Sequence, residues 1–320
     1  GMQKNKMSFS SDTKNELARI VPEKKCCMLA EIAGFIRVAG SIKLAGRGRF
    51  TIVLSTENPA IARHYKKLIK DYFSVDVSLE IGRGTMLKKG KYYLMSLGPE
   101  ELSEQILRET GILMIREGMN YISDGIYQGL IKTKCCRKAY LRGLFLGAGT
   151  MSNPEKAYQF EIVCKAEALA SDVKRLMNSF VDIHARIFRR KKEYVVYTKA
   201  AQEVTDILAI MGAHSQYFVF EDIKLKKELR NRTNRINNCD QANIDKAVAA
   251  SERQIESVKK IDDVSGLSSM PGKLKEIALL RLENPDATMT ELGEMMDPPL
   301  KKSGVAARMK RIEELAKKGK

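Results

Sequence analysis

No stretch of this chain stays apolar for the roughly 18–20 residues that a membrane-spanning helix needs. The N-terminal segment also lacks the apolar core of a secretory signal. Six cysteines at irregular spacings in 320 residues do not read as the disulfide framework of a small secreted domain. These absences set the expectation of a soluble, cytoplasmic, nucleoid-associated protein. Low-complexity tracts are missing as well, so the whole length is available for two domains with a sizeable core. Acidic residues are in short supply: 39 Asp and Glu face 56 Lys and Arg, a net charge of +17. Such an excess points to a polyanion, and nucleic acid comes before an anionic membrane. The expected partner is double-stranded DNA, with no membrane association, no small-molecule substrate and no cofactor indicated.

One stretch occurs twice. Residues 26–41 and 135–150 both read C-C-x-x-A-x-[IL]-x-G-[FL]-[IF]-x-x-A-G-[ST]. A repeat spaced by about a hundred residues marks two domain halves rather than a solenoid unit. Within each copy small residues fall three and four apart, Ala30, Ala33 and Gly34 in the first, Ala139 and Gly143 in the second. That spacing puts them on one helix face, where two backbones can approach closely. Glycine inside a helix costs about 1 kcal/mol relative to alanine, so a glycine at the same place in both copies wants a packing reason. The expectation is two helices packed together on a pseudo-two-fold axis.

This stretch resembles the LAGLIDADG motif of homing endonucleases, with Ile32 to Gly40 and Leu141 to Gly149 in its two slots. The resemblance implies that an acidic residue just before each final glycine would hold the divalent metals of a phosphodiester-cleaving site. Those slots hold Ala39 and Ala148, and the earlier acidic slots hold Arg37 and Leu146. A methyl group cannot replace a carboxylate oxygen on a hard cation. The scaffold is therefore expected without its catalytic residues, and not as an enzyme.

Along the chain, Ser10 to Thr13 is expected to open a short helix with Ser10 at its cap, and Pro22-Glu23 to start the first motif helix. After Gly40 the pattern alternates. Residues 41–44 and 49–56 form a hairpin around Gly46-Arg47-Gly48, Asn58 to Phe73 a helix, residues 75–81 and 91–96 a second hairpin, and Pro99 to Thr110 a helix. The second half repeats this order: residues 159–163 answer 49–53, and 181–183 answer 75–77. The expected fold class is α+β, a pseudo-two-fold αββαββα repeat with halves at about 23–121 and 132–213, within a double domain spanning 1–222.

Two basic hairpins occupy corresponding places in the halves. The first carries Arg83, Lys88, Lys89 and Lys91, and the second Arg186, Arg189, Arg190, Lys191 and Lys192. Related by pseudo-symmetry, they would straddle a duplex and neutralise phosphates. Residues 223–265 are expected as a helical linker, with a firm helix only from Ile244. Its Asn-rich part carries Arg232 and Arg235, suited to DNA contact or simply to caps and turns.

Residues 266–320 read as a separate all-α domain. Pro271 to Leu282 forms a helix stopped by Asn284-Pro285. Thr288 and Glu291 make a capping box for a short helix with Leu292 and Met295 inward. After Asp297-Pro298-Pro299, Ser303 is expected to cap a third helix with Val305, Met309, Ile312 and Ala316 on its buried face. Three helices, the last two joined by a tight turn, describe a helix-turn-helix. Off the buried face lie Lys301, Lys302, Ser303, Gly304, Ala307, Arg308, Lys310 and Arg311, the expected DNA-reading set.

The double domain joined to a helix-turn-helix, with the run from Asn234 to Asn243 between them, resembles the WhiA family over nearly the whole chain. That resemblance implies a DNA-binding transcriptional regulator tied to sporulation, or to cell division and chromosome segregation. Promoter recognition falls to the helix-turn-helix, with the enzyme-derived domain as a DNA or protein platform and another transcription or division protein as a further partner. Other readings attach to particular residues. An active endonuclease would need other carboxylates, such as Glu31 or Asp182. A nucleoid-associated or a protein-binding platform would touch DNA secondarily. Cys26, Cys27, Cys135 and Cys136 would ligate zinc if they converged. Adjacent cysteines on a helix point about 100° apart, and no C-x₂-C spacing is present, so they are expected as buried small hydrophobes and no metal site.

Overall fold

The computed structural model describes residues 8–83 and 90–318. The first helix, α1 (Phe9–Leu17), is capped by Ser8, whose Oγ accepts from the Ser11 amide at 3.1 Å. Ser10, expected as the cap, instead accepts from the Met151 amide at 3.1 Å, tying α1 to the second half. Next, α2 (Lys25–Ala39) begins at Lys25 rather than at Pro22.

The expected order follows: β1 (Gly40–Leu44), β2 (Phe50–Thr56), α3 (Pro59–Phe73), β3 (Ser78–Arg83), β4 (Lys91–Leu97) and α4 (Ser103–Glu109). Asn58 caps α3 through its side-chain oxygen. The helix expected from Pro99 is interrupted, with a 3₁₀ turn over Pro99–Glu101 and then Leu102 at φ 57. Ser103 is anchored there by donating to the Phe50 carbonyl at 2.6 Å. A hairpin of β5 (Leu113–Arg116) and β6 (Met119–Ile122) then joins the halves, an element that periodicity missed. Its two-residue turn, Glu117-Gly118, has both residues left-handed at φ 51 and 78. That is type I′ geometry, and a Gly at its second place was the available signal.

The second half comprises α5 (Lys134–Ala148), β7 (Gly149–Met151), β8 (Phe160–Cys164), α6 (Glu167–Asn178), β9 (Arg186–Arg190), β10 (Glu193–Thr198) and α7 (Ala201–Met211). The sheets run β1-β2-β4-β3 and β7-β8-β10-β9, the same order in both halves. Phe50, Ile52 and Leu54 on β2, and Phe160, Ile162 and Cys164 on β8, point into one continuous core. The α+β class and the duplicated αββαββα order are therefore borne out.

At the centre α2 and α5 touch through their backbones. A Cβ on Gly34 would land on the Tyr140 carbonyl oxygen, and one on Gly143 on the Glu31 carbonyl oxygen. Beside that crossing lies an ion pair. Glu31, fully buried, accepts from Arg142 Nε and Nη2 at 3.0 and 2.9 Å. His64 Nε2 donates to its other oxygen at 2.7 Å, and Arg142 Nη1 donates to the Met211 carbonyl at 3.0 Å.

The chain forms two units, one ending at Lys227 and the other starting at Glu228, and a single helix, α8 (His214–Ser265), crosses that division. The helix expected only from Ile244 already starts at His214. No Gly or Pro falls between those ends, and i,i+4 pairs such as Lys226–Asp222 at 2.6 Å support it. Low helix propensity of Asn and Thr, which argued for a looser segment, is a weak prior that length and the missing breakers override.

The second unit packs α9 (Gly272–Glu283), α10 (Met289–Glu294) and α11 (Lys302–Lys318) with the end of α8. The capping box forms, with Thr288 Oγ1 accepting from the Glu291 amide and Glu291 from the Thr288 amide. Those bonds hold the Glu291 carboxyl below its ordinary value. Met296, not Met295, is the inward residue after α10, for Met295 is 48% exposed and Met296 only 3%. Ser303 is not a cap, because α11 starts at Lys302 and the Lys301 carbonyl accepts its first bonds. Between α9 and α10 the buried Arg281 donates through Nη1 to the carbonyls of Asn284, Pro285 and Ala287 at 3.3, 3.2 and 2.7 Å. Burial lowers the pKa of this guanidinium.

Two substitutions test these contacts in the full chain. Gly143→Val should destabilise the first unit by about 3 kcal/mol, because the backbone of α2 cannot yield as a side chain would. Urea unfolding reads this, and a loss under about 1 kcal/mol would rule out the close crossing. Arg281→Met should cost the second unit about 3 kcal/mol by stranding three turn carbonyls. Hydrogen exchange should then report lost protection across α9 and α10 while α2 and α5 keep theirs.

Candidate nucleic-acid interface

Helix α11 buries Val305, Met309, Ile312 and Ala316. The same 3.6-residue period turns Lys301, Lys302, Ser303, Ala307, Lys310 and Arg311 to solvent. Gly304 is half-buried against Leu300. The turn before the helix is tight, since Leu300 N–H donates to the Gly293 carbonyl at 2.8 Å and a Cβ on Gly293 would strike the Leu300 carbonyl oxygen. Arg308 departs from the expected set. Its Nη1 donates to the Lys273 carbonyl at 3.4 Å and lies 3.6 Å from Met296 Sδ, so its guanidinium braces α11 against the start of α9. Arg311 pairs loosely with Glu314 at 3.6 Å and stays exposed.

The basic hairpins are less uniform than their sequence. Arg83 closes β3 in register with Lys91, and Lys91 is exposed. Lys88 and Lys89 lie outside the described residues. In the second half Arg186, Arg189, Arg190, Lys191 and Lys192 are all exposed. Arg189 leans over the Tyr194 ring at 5.9 Å, and Arg190 Nη1 sits 3.3 Å from Glu161. The outer sheet faces mix signs. Thr150, Glu161, Tyr197 and Arg186 form one cross-strand row, and Glu80 stands opposite Leu94 on the first sheet. Arg232 and Arg235 are exposed on α8.

The ends of α2 and α5, where the endonuclease resemblance would put metal, carry Ala39 and Ala148. Arg37 is engaged within the protein, donating to the Ser123 carbonyl, to Ser123 Oγ at 3.0 Å and to the Gly111 carbonyl at 3.5 Å. It ties the β5–β6 hairpin to α2. Glu31 is consumed by Arg142 and His64. Asp182 is exposed in the turn after α6 at φ 60. These two carboxylates therefore do not supply a cation site between the motif helices.

The four cysteines of the motif helices meet the expectation of burial only in part. Cys27 and Cys136 are buried, but Cys26 is exposed and Cys135 half-buried. Cys27 Sγ and Cys136 Sγ lie 4.0 Å apart across the α2–α5 crossing. Sulfurs of Cys26, Cys27 and Cys136 all lie within 4.8 Å of one another, the one such group of three or more metal-ligating side chains among the described residues. Thr133 caps α5, and its Oγ1 is 3.2 Å from Cys135 Sγ. That hydroxyl first, and the Cys27 thiol second, bring the Cys135 thiol down to about 7. Burial pushes Cys27 up, with its thiol neighbours adding. The expectation of buried small hydrophobes therefore holds for Cys27 and Cys136 and fails for the exposed Cys26. Adjacent cysteines do diverge on their own helix, but the pseudo-two-fold partner supplies the residue that fills the gap.

Comparison with known proteins gives three matching family models: "WhiA N-terminal LAGLIDADG-like domain" over residues 25–113, "WhiA LAGLIDADG-like domain" over 137–230 and "WhiA C-terminal HTH domain" over 233–316. The "Probable cell division protein WhiA" of Alkaliphilus metalliredigens is 44% identical over 310 residues, covering 97% of this chain and 98% of that protein. That of Thermoanaerobacter pseudethanolicus is 45% identical over 312 residues, covering 98% of each. Among solved structures, full-length DUF199/WhiA from Thermatoga maritima aligns with a TM-score of 0.60 at 26% identity, covering 98% of this chain and 99% of that one.

Proposed function

The chain belongs to the WhiA family, and from that premise we propose that it is a DNA-binding transcriptional regulator whose α11 enters the major groove. The observation that carries this reading is the solvent face of α11, with Lys301, Lys302, Lys310 and Arg311 exposed around small residues. Cations there neutralise phosphates, arginine forks onto guanine, and Ser303 and Ala307 permit close approach. Arg308 works from behind, holding the helix at its angle. The exposed arginines of β9 and those of α8 add phosphate contacts. The double domain serves as a non-catalytic platform for DNA or for a second protein, since its motif ends offer methyl groups where hard cations need oxygen. Relatives bear the name of a probable cell division protein. We assign this chain to the same process, with chromosome segregation or sporulation as its setting and the nucleoid as its place.

A protein-binding platform with secondary DNA contact is the competing reading. One observation favours it: the β5–β6 hairpin leaves Ile115, Met119 and Tyr121 63%, 70% and 40% exposed.

Fluorescence anisotropy of the full chain on a mixed-sequence duplex across a salt series separates these. Replacing Lys301, Lys302, Lys310 and Arg311 with alanine should flatten the log K against log salt slope by about 3 to 4, near 0.9 per phosphate contact. Replacing Arg186, Arg189 and Arg190 should change it by less. The reverse pattern would move the DNA site to the sheets, and no change from either set would favour the protein platform. Plasmid nicking that needs magnesium and survives repurification would overturn the non-catalytic assignment.

A further inference from the structure

The helix starts of α2 and α5 bring together two vicinal cysteine pairs, one from each half. We propose that they form a binding site for a thiophilic divalent cation, zinc foremost, with Cys26, Cys27 and Cys136 as ligands and Cys135 completing the set.

The spacing fits. Tetrahedral zinc with Zn–S bonds of about 2.3 Å separates neighbouring sulfurs by about 3.8 Å. Cys27 and Cys136 already stand 4.0 Å apart, and Cys26 lies within 4.8 Å of both. Cys135 Sγ lies 3.2 Å from the Thr133 hydroxyl and outside the group of three converging sulfurs, so completing the set means giving up that hydroxyl for the cation. Such thiolates select soft or borderline metals over magnesium or calcium.

The charge fits as well. Each thiol surrenders its proton to solvent on binding, with no oxidation, so four thiolates around one Zn²⁺ leave a net charge of −2. Two helix N-termini face that charge with the positive ends of their dipoles, and Lys24, Lys134 and Lys138 surround it in sequence. Access is provided by a cavity of about 530 Å³ lined in part by Lys24, Cys27, Cys135 and Lys138. The site is at the opposite end of α2 from Ala39, about 19 Å from it at 1.5 Å per residue. It therefore stands apart from the endonuclease-type metal position, and it lies wholly within the first unit. A cation there would bolt the two halves together at their crossing.

The test uses the full chain, reduced and freed of metal, with Zn²⁺ and Co²⁺ as probes. One cation per chain is expected by elemental analysis. Co²⁺ should give thiolate charge-transfer absorption and the intense visible bands of a tetrahedral site, both abolished by added zinc. Cys26→Ala, at an exposed position whose loss leaves packing intact, should weaken zinc binding about a hundredfold or more, beyond the loss caused by an outer hydrogen-bond partner. Cys239→Ala, on α8, should leave it unchanged. Absence of cobalt thiolate bands in reduced protein would overturn the proposal. So would full zinc affinity in Cys26→Ala.

Discussion

The backbone contact between α2 and α5 is the constraint on which the first unit rests. It needs glycine at both Gly34 and Gly143, because each stands against a carbonyl oxygen of the other helix. Once the helices approach that closely, no side chain fits between them, and specificity must come from the flanks. Glu31 and Arg142 provide it on one flank, a buried pair with every charged oxygen and most donors engaged. That pair is asymmetric: Glu31 corresponds to Tyr140 in the repeat, and Arg142 to Ala33. A buried pair adds little net stability beside an apolar alternative, but removing one partner is severe. Its asymmetry lets the two helices of the repeat take distinct roles.

Much of this was legible in the sequence. The twin glycines predicted the helix crossing because glycine in a helix interior needs a reason, and the period switch after Gly40 located the sheets. What escaped was set by tertiary contacts or by backbone conformation. Ser8 rather than Ser10 caps α1 because Ser10 is engaged by Met151. Met296 replaces Met295 because the short α10 ends and the chain turns before the period can continue. The role of Arg281 could not be read from a lone arginine on an otherwise apolar helix face, since its partners are carbonyls of a turn. Arg308 looked like a base reader for the same reason: sequence gives the face of a helix, not whether a neighbour has claimed the side chain.

The motif ends carry the same lesson about chemistry. Arg37 occupies a slot where the endonuclease resemblance would place an acid, and it is spent on the Ser123 and Gly111 carbonyls. That end of α2 serves as a structural anchor for the hairpin that joins the halves. With that position given to packing, the proposed DNA role falls on surfaces where cations remain unengaged. The outer sheet faces fulfil this poorly, since Arg190 is drawn to Glu161 and Glu193 lies opposite it in register.

Helix α11 fulfils it better, for a reason that lies in the order of its residues. Its buried positions are Val305, Met309, Ile312 and Ala316, a stripe of three- and four-residue steps that consumes no charge. Every cation near its start except Arg308 is left to solvent, and Arg308 is the one placed where α9 can receive it. Removing the Arg308 guanidinium would then loosen α11 without deleting a phosphate contact. Its effect on binding would be a change in geometry shared by all sequences and salts, unlike the salt-dependent effect of Lys310 or Arg311. Bracing and contact are thus separable functions on adjacent turns of one helix, and the separation follows from which side chain has already found a partner.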